Sequence, residues 1–248
     1  MRFPFKLAAI VLSLSVALPA HATTVSVAVA ANFTKVAEEI AAAFRAKTGD
    51  DVELSFGATG QLYTQISQGA PFQVFLAADD QRPQKAVDEG HGVDGTVFTY
   101  AVGKLVLYGV AADVTAGADV LKAGDFQKLS IADPETAPYG AAAVETLKSL
   151  DLYEALQPKI VTAQNISQAQ QFVEGGSAEL GFVALSQVIG ADKGTQWLVP
   201  AELYEPIRQD AVLLKTGENE PAARAFLDYL KSDEAVAIIK KSGYEVSP

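Results

Sequence analysis

Hydrophobic and polar positions alternate along the chain between two periods. Residues 25–30 form a continuous apolar run of strand length, and Val36, Ile40 and Phe44 follow at the four-residue spacing of a helix face, closed by Gly49. The same unit repeats. Residues 52–56 read as a strand, and Leu62 and Ile66 mark a short helix that ends at Gly69-Ala70-Pro71. Residues 72–77 read as a third strand, followed by a helix through Ala86 and Val87 to Gly90. Strands alternating with helices are the mark of an α/β fold.

Residues 102–110 are predicted to be one long apolar strand crossing to a second lobe. A second set of units follows: strands at 129–132, 159–162 and 180–183, with helices at 140–150 and 166–174 between them. Residues 197–200 lead back, and residues 208–214 are apolar enough to return to the first lobe. Two closing helices, 221–231 and 233–241, carry apolar faces (Ala225, Phe226, Tyr229, Leu230; Ala235, Ile238, Ile239) and no sheet of their own. They need the first lobe as a partner. The expected division is therefore a discontinuous first lobe, residues 23–104 and 209–248, and a second lobe, residues 105–208, with a ligand cleft between two mixed sheets flanked by helices. Two crossings make a hinge that can close around a ligand.

The first 22 residues stand apart. Arg2 and Lys6 precede an apolar run, residues 7–18, too short to span a bilayer, and Ala20-His21-Ala22 is a small-x-small cleavage site. These are the parts of a secretory signal in order, so the mature chain is expected to begin near Thr23 and to reside outside the cytoplasm, in the periplasm. The chain has no cysteine, so no disulfide holds the exported fold and no thiol chemistry is open to it. The formal net charge is −11, and cleavage of the signal removes two basic residues and no acid, giving −13. That balance argues against nucleic acid, whose capture depends on basic patches. It does not exclude an anionic ligand, because a buried site responds to its own few donors more than to distant screened charges.

Enzyme chemistry is poorly represented, and no catalytic residue is expected. Past the signal the chain holds one histidine, His91, in a glycine-rich loop. No Gly-x-Ser-x-Gly elbow, Walker loop or His-Glu-x-x-His helix occurs. Asp79-Asp80 stands where a strand meets a helix, which favours capping over a catalytic carboxylate pair. Asp133-Pro134-Glu135 reads as a turn before it reads as a metal site.

One pattern does recur. Four strand ends run through small or polar residues into a helix start: Ala30-Ala31-Asn32-Phe33-Thr34, Gly57-Ala58-Thr59-Gly60-Gln61, Ala137-Pro138-Tyr139-Gly140 and Gln164-Asn165-Ile166-Ser167. Each is an ordinary cap when taken alone. Helix N-termini carry unpaired N–H donors and partial positive charge, and in open α/β sheets they gather at the carboxyl edge where ligands bind. Two come from each lobe, so together they can form a neutral cage for an anion. Lys35 is the exception to their lack of basic residues. Such a cage suits a fully ionised, non-titrating anion better than a carboxylate clamped by arginine.

At these turns the chain resembles the periplasmic molybdate-binding proteins of the ModA type. The resemblance runs over nearly all of the mature sequence. It is carried by residues 27–33, 55–60, 69–79 (Gly-Ala-Pro-Phe-Gln-Val-Phe-Leu-Ala-Ala-Asp) and 132–140 (Ala-Asp-Pro-Glu-Thr-Ala-Pro-Tyr-Gly). It implies a type II periplasmic binding fold, no enzymatic activity and no cofactor. The ligand would be molybdate or tungstate held by hydrogen bonds, with no metal-ligating side chain. The partner would be the membrane permease of an ABC importer, and the protein would be a monomer. Carried over by position, the ligand contacts are Asn32 and Thr59, through side chain and backbone N–H, and Tyr139 and Ile166, through backbone N–H, with Ala31 and Ala58 as additional neighbours. Where some relatives supply a tyrosine hydroxyl after a Gly-Ile-Val-like strand, this chain has Ala184, so the Tyr139 hydroxyl is expected to compensate. Sulfate, another tetrahedral oxyanion, satisfies the same donor chemistry and stays open as an alternative.

Overall fold

The computed structural model describes residues 23–246. The signal-like residues 1–22 lie outside the described residues.

Two five-stranded sheets organise the molecule. The first lobe opens with β1 (Thr24–Ala30), a 3-10 turn (Ala31–Phe33) and α1 (Thr34–Thr48), and continues with β2 (Asp51–Gly57), α2 (Thr59–Ser67), β3 (Val74–Leu76), α3 (Gln81–Asp88) and β4 (Phe98–Gly103). Val36, Ile40 and Phe44 are buried, and α1 ends on Gly49 in the left-handed conformation that glycine adopts without strain. The chain then crosses. The second lobe holds β5 (Leu105–Gly109), α4 (Ala118–Ala123), β6 (Leu129–Ala132), α5 (Pro138–Ser149), α6 (Tyr153–Leu156), β7 (Ile160–Ala163), α7 (Ile166–Glu174), β8 (Leu180–Ala184), α8 (Leu185–Val188) and β9 (Thr195–Leu198). The return strand β10 (Ile207–Leu213) leads to α9 (Pro221–Tyr229) and α10 (Asp233–Lys241).

The two sheets share one plan. Their strand orders are β2-β1-β3-β10-β4 and β7-β6-β8-β5-β9. In each, four strands run in one direction and only the fourth in the order runs antiparallel to its two neighbours. The fourth strand of each sheet is the one that follows a crossing: β5 on the way out, β10 on the way back. The carboxyl ends of β1, β2, β6 and β7 all run into helix or 3-10 starts, which brings four N-termini to the edge between the lobes.

Some expectations needed correction. Residues 102–110 are not one strand. The run breaks at Lys104, leaving β4 in the first sheet and β5 in the second. An apolar run records burial, and both segments are buried, but in different sheets. Residues 197–200, expected to lead back, begin with the last two residues of an edge strand, β9, paired with β5. Ala225 faces solvent, and α9 packs instead through Ala222, Ala223, Phe226 and Leu227 in one core with Val25, Val27 and Val29 of β1. Among the described residues no helix is long and apolar enough to cross a membrane.

Candidate functional site

The four sequence turns meet around one small cavity walled by buried residues. Ala30, Ala31 and Asn32 come from the end of β1 and the 3-10 turn, Gly57, Ala58 and Thr59 from the end of β2 and the start of α2, Ala137, Pro138 and Tyr139 from the start of α5, and Ile166 from the start of α7; Ala78 completes the wall. The structure thus brings together Asn32, Thr59, Tyr139, Ile166, Ala31 and Ala58. Each of these six residues is buried to 5% exposure or less. The space between them gives the centre of a water-sized sphere about 10 Å³. That is room for a group about the size of one water and excludes a sugar, an amino acid or a peptide. No charged side chain lines it.

Backbone geometry explains the donors. The first N–H groups of a helix have no acceptor within it. Pro138 at the first position of α5 has no N–H, so Tyr139 supplies the first free backbone donor of that helix. Asn165 caps α7 by accepting from the Gln168 N–H at 3.0 Å, and Ile166 follows at the first helical position. The small residues at Ala30, Ala31, Gly57 and Ala58 leave the backbone exposed to whatever fills the cavity.

The side chains divide into two kinds. Thr59 Oγ1 accepts from the Ala78 N–H at 3.0 Å, which leaves its own hydrogen to donate. Asn32 behaves differently. Its side-chain amide donates to Gln209 Oε1 and to the Tyr244 hydroxyl, both at 2.9 Å, so both hydrogens are used within the protein. Tyr139 is fully buried, and its hydroxyl accepts from Gln209 Nε2 at 3.1 Å. Burial pushes its pKa well above the ordinary tyrosine range, so it stays a neutral hydroxyl. Tyr244 is pushed up to about 12 for the same reason. Ala184 is fully buried at the start of α8, where its N–H donates to Gln187 Oε1.

The lobes are joined at the rim. The Gly60 N–H donates to the Thr136 carbonyl at 2.8 Å, and Arg82, which pairs with Asp79, donates to the Glu135 carbonyl at 3.1 Å. On the other side Ser167 Oγ donates to the Ala31 carbonyl at 3.1 Å, and Ser186 Oγ to the Asn32 carbonyl at 3.0 Å. A larger groove of about 460 Å³ runs outward from Ala31 and Asn32 past Lys35, Gln170 and Glu174. Both a cation and a carboxylate line it, whereas the four helix starts meet at the small uncharged cavity, which is the candidate site.

The remaining sequence candidates take structural parts. Asp79 Oδ1 accepts the Arg82 N–H at 2.9 Å, a capping bond at α3. Asp133 accepts from the Glu135 N–H and the Thr136 hydroxyl, closing a turn. Sequence reasoning did not find Gln209, Ser186 and Tyr244. They are buried polar residues on three distant segments, and only their burial together marks them.

A cleft between two α/β lobes, holding an uncharged cavity lined by helix N-termini, defines a solute-binding protein with the type II periplasmic binding fold. The family model described as bacterial extracellular solute-binding protein matches residues 25–245. The molybdate-binding protein ModA of Rhodobacter capsulatus is 56% identical over 237 residues, covering 95% of this chain and 94% of that protein. The solved periplasmic molybdate-binding protein of Azotobacter vinelandii superposes with a TM-score of 0.85 at 38% identity, over 90% of this chain and 100% of that one. The sulfate-binding protein SubI of Mycobacterium tuberculosis shares the fold, with a TM-score of 0.74 at 15% identity over 91% of this chain and 88% of that one. The chain belongs to the bacterial extracellular solute-binding protein family and, within it, to the ModA group.

Proposed function

We propose that this protein captures molybdate, and tungstate with it, and delivers the ion to the membrane permease of an ABC importer. The observation that carries the reading is the small, uncharged cavity at the meeting of four helix starts, in a chain 56% identical to a molybdate-binding protein. The contacts would be the backbone N–H groups of Asn32, Thr59, Tyr139 and Ile166, the Thr59 hydroxyl and the Tyr139 hydroxyl, with Ala31 and Ala58 forming the wall. Asn32 would act through its backbone, since its side-chain hydrogens are committed to Gln209 and Tyr244.

The energetics are consistent with this set. Hydrogen bonds to a charged group contribute about 1.5–3 kcal/mol each. Five or six of them, less desolvation and association costs, leave roughly 8–12 kcal/mol, the range of micromolar to nanomolar binding. The ion is cargo, held by its oxygens, and no side chain ligates the metal.

The same reading assigns residues 23–104 and 209–248 to one lobe and 105–208 to the other. It also assigns export to the periplasm, with cleavage near Ala22, and action as a monomer. Calorimetric titration of the mature protein with molybdate, tungstate, sulfate and phosphate tests it. Tight binding of molybdate and tungstate is expected. Tight binding of sulfate with no response to molybdate would overturn the assignment.

A further inference from the structure

Gln209 lies on β10, the strand that follows the return crossing, and is fully buried. Its carboxamide bonds to one wall residue from each lobe. Oε1 accepts from the Asn32 side chain of the first lobe at 2.9 Å, and Nε2 donates to the Tyr139 hydroxyl of the second lobe at 3.1 Å. The Tyr100 hydroxyl, which donates to the Ala77 carbonyl at 2.9 Å, lies 3.2 Å from the same Oε1. The Asn32 N–H thus donates to the oxygen end, which places the amide nitrogen toward Tyr139.

That orientation has a chemical consequence. A hydroxyl offers one hydrogen and two acceptor sites. With Gln209 donating into it, one acceptor site of the Tyr139 oxygen is filled by the protein, and its hydrogen is left to turn between the neighbouring Tyr244 hydroxyl and the cavity that its residue lines. An anion can use only donors. Gly103, at the end of β4 before the crossing, leaves the room this arrangement needs. A Cβ there would overlap the Tyr139 hydroxyl and come within 2.6 Å of Gln209 Nε2. The strands on both sides of the hinge therefore build the seat of one hydroxyl.

We infer that Gln209 is a positioning residue for oxyanion capture: it holds the Tyr139 hydroxyl as a donor to the ion and ties that donor to the Asn32 turn across the hinge. The inference rests on the functional reading above and deepens it. It assigns the site's dependence to a residue that lies outside the cavity wall.

A double-mutant cycle tests it, with molybdate titrated calorimetrically into the wild type, Gln209→Met, Tyr139→Phe and the double variant. The melting temperature of each unliganded protein is measured alongside. Each single variant is expected to weaken binding about tenfold or more, the scale of one hydrogen bond to an anion. The double variant is expected to bind no more than a few-fold worse than Tyr139→Phe, because both changes remove the same donor. A purely structural role would lower the melting temperature and weaken binding equally in both backgrounds; that additive result, or wild-type affinity in Gln209→Met, overturns the inference. If Gln209→Met does not fold, Gln209→Glu replaces it. The carboxylate still accepts from Asn32 but takes the Tyr139 hydrogen as well, so its loss must shrink in the Tyr139→Phe background, and an equal loss overturns the inference. A wild-type protein that gives no response to molybdate overturns the functional reading itself, and this inference with it.

Discussion

Gly60 and Thr136 stand on opposite lobes and are joined through their backbones, the Gly60 N–H donating to the Thr136 carbonyl at 2.8 Å. A Cβ at Gly60 would lie 3.0 Å from the Arg82 guanidinium, 3.1 Å from the Thr136 Cα and 3.2 Å from its carbonyl oxygen. The first of these can swing away; the backbone of Thr136 can yield only if the lobes part. The contact therefore belongs to closure and not to the folding of either lobe.

Gly60→Ala is accordingly expected to weaken molybdate binding by about tenfold while the unliganded protein melts within a few degrees of wild type. The affinity loss corresponds to roughly 1.4 kcal/mol taken from the closed arrangement. Titration calorimetry and thermal melts check it together. Unchanged affinity would show that the rim contact does not contribute to capture.

Thr59 has two tasks that substitution can separate. Its oxygen accepts from the buried Ala78 N–H, and its hydrogen is left for the ligand. Thr59→Val removes both and is expected to weaken binding about ten- to hundredfold and to destabilise the protein by about 1–3 kcal/mol, the cost of an orphaned buried donor. Thr59→Ser keeps the hydroxyl and is expected to keep affinity within a few-fold. Denaturant titration and calorimetry on the same pair read out the two effects.

Binding should be insensitive to alkaline pH. The only titratable side chain on the cavity wall is Tyr139, whose pKa burial raises well above the ordinary value. Ionisation would remove a donor and place a negative charge beside the ion, and the upward shift moves that loss to higher pH. Affinity measured from neutral pH into the ordinary tyrosine range is expected to stay flat; a decline within it would contradict the assignment of a protonated hydroxyl.

Asp210 concerns stability alone. Its carboxylate is buried on β10, its Oδ1 has no partner, and burial raises its pKa. A carboxyl whose pKa is higher folded than unfolded favours the fold while protonated and loses that advantage as pH rises through the folded value. Asp210→Asn is therefore expected to raise Tm at neutral pH, with the gain shrinking as pH falls toward the ordinary carboxylate range. Melts across that interval test both the sign and the trend.

Gly103→Ala is expected to be more harmful than a usual glycine substitution in a strand. The added Cβ overlaps the Tyr139 hydroxyl and crowds Gln209 at once. Overpacking of this kind costs about 1–3 kcal/mol, and the displaced hydroxyl should weaken binding by about tenfold as well. Chemical denaturation and calorimetry check the two effects.

Residues 25–30, with Val36, Ile40 and Phe44 behind them, announced a buried strand and a one-sided helix through local periodicity, because burial of one face needs only the residues on it. The four turns were legible for a similar reason. Small, polar and capping residues at Ala31-Asn32, Ala58-Thr59, Pro138-Tyr139 and Asn165-Ile166 follow from backbone requirements within a few residues. The break at Lys104 was not legible, since an apolar run records burial without saying in which sheet.

The sequence by itself determined the alternating α/β plan, the lack of any thiol, the small and polar helix starts and the resemblance to oxyanion receptors. Only the tertiary structure decided which hydrogens those turns can offer. Asn32 reaches Gln209 across 177 residues of chain and Tyr244 across 212, and Gln209 reaches Tyr139 across 70. A hydrogen bond depends on distance and direction at two atoms, and neither partner of such a pair imposes a period on its neighbours. The donors therefore follow from local sequence, while their availability is settled by contacts that exist only once both lobes are folded and the chain has crossed the hinge twice.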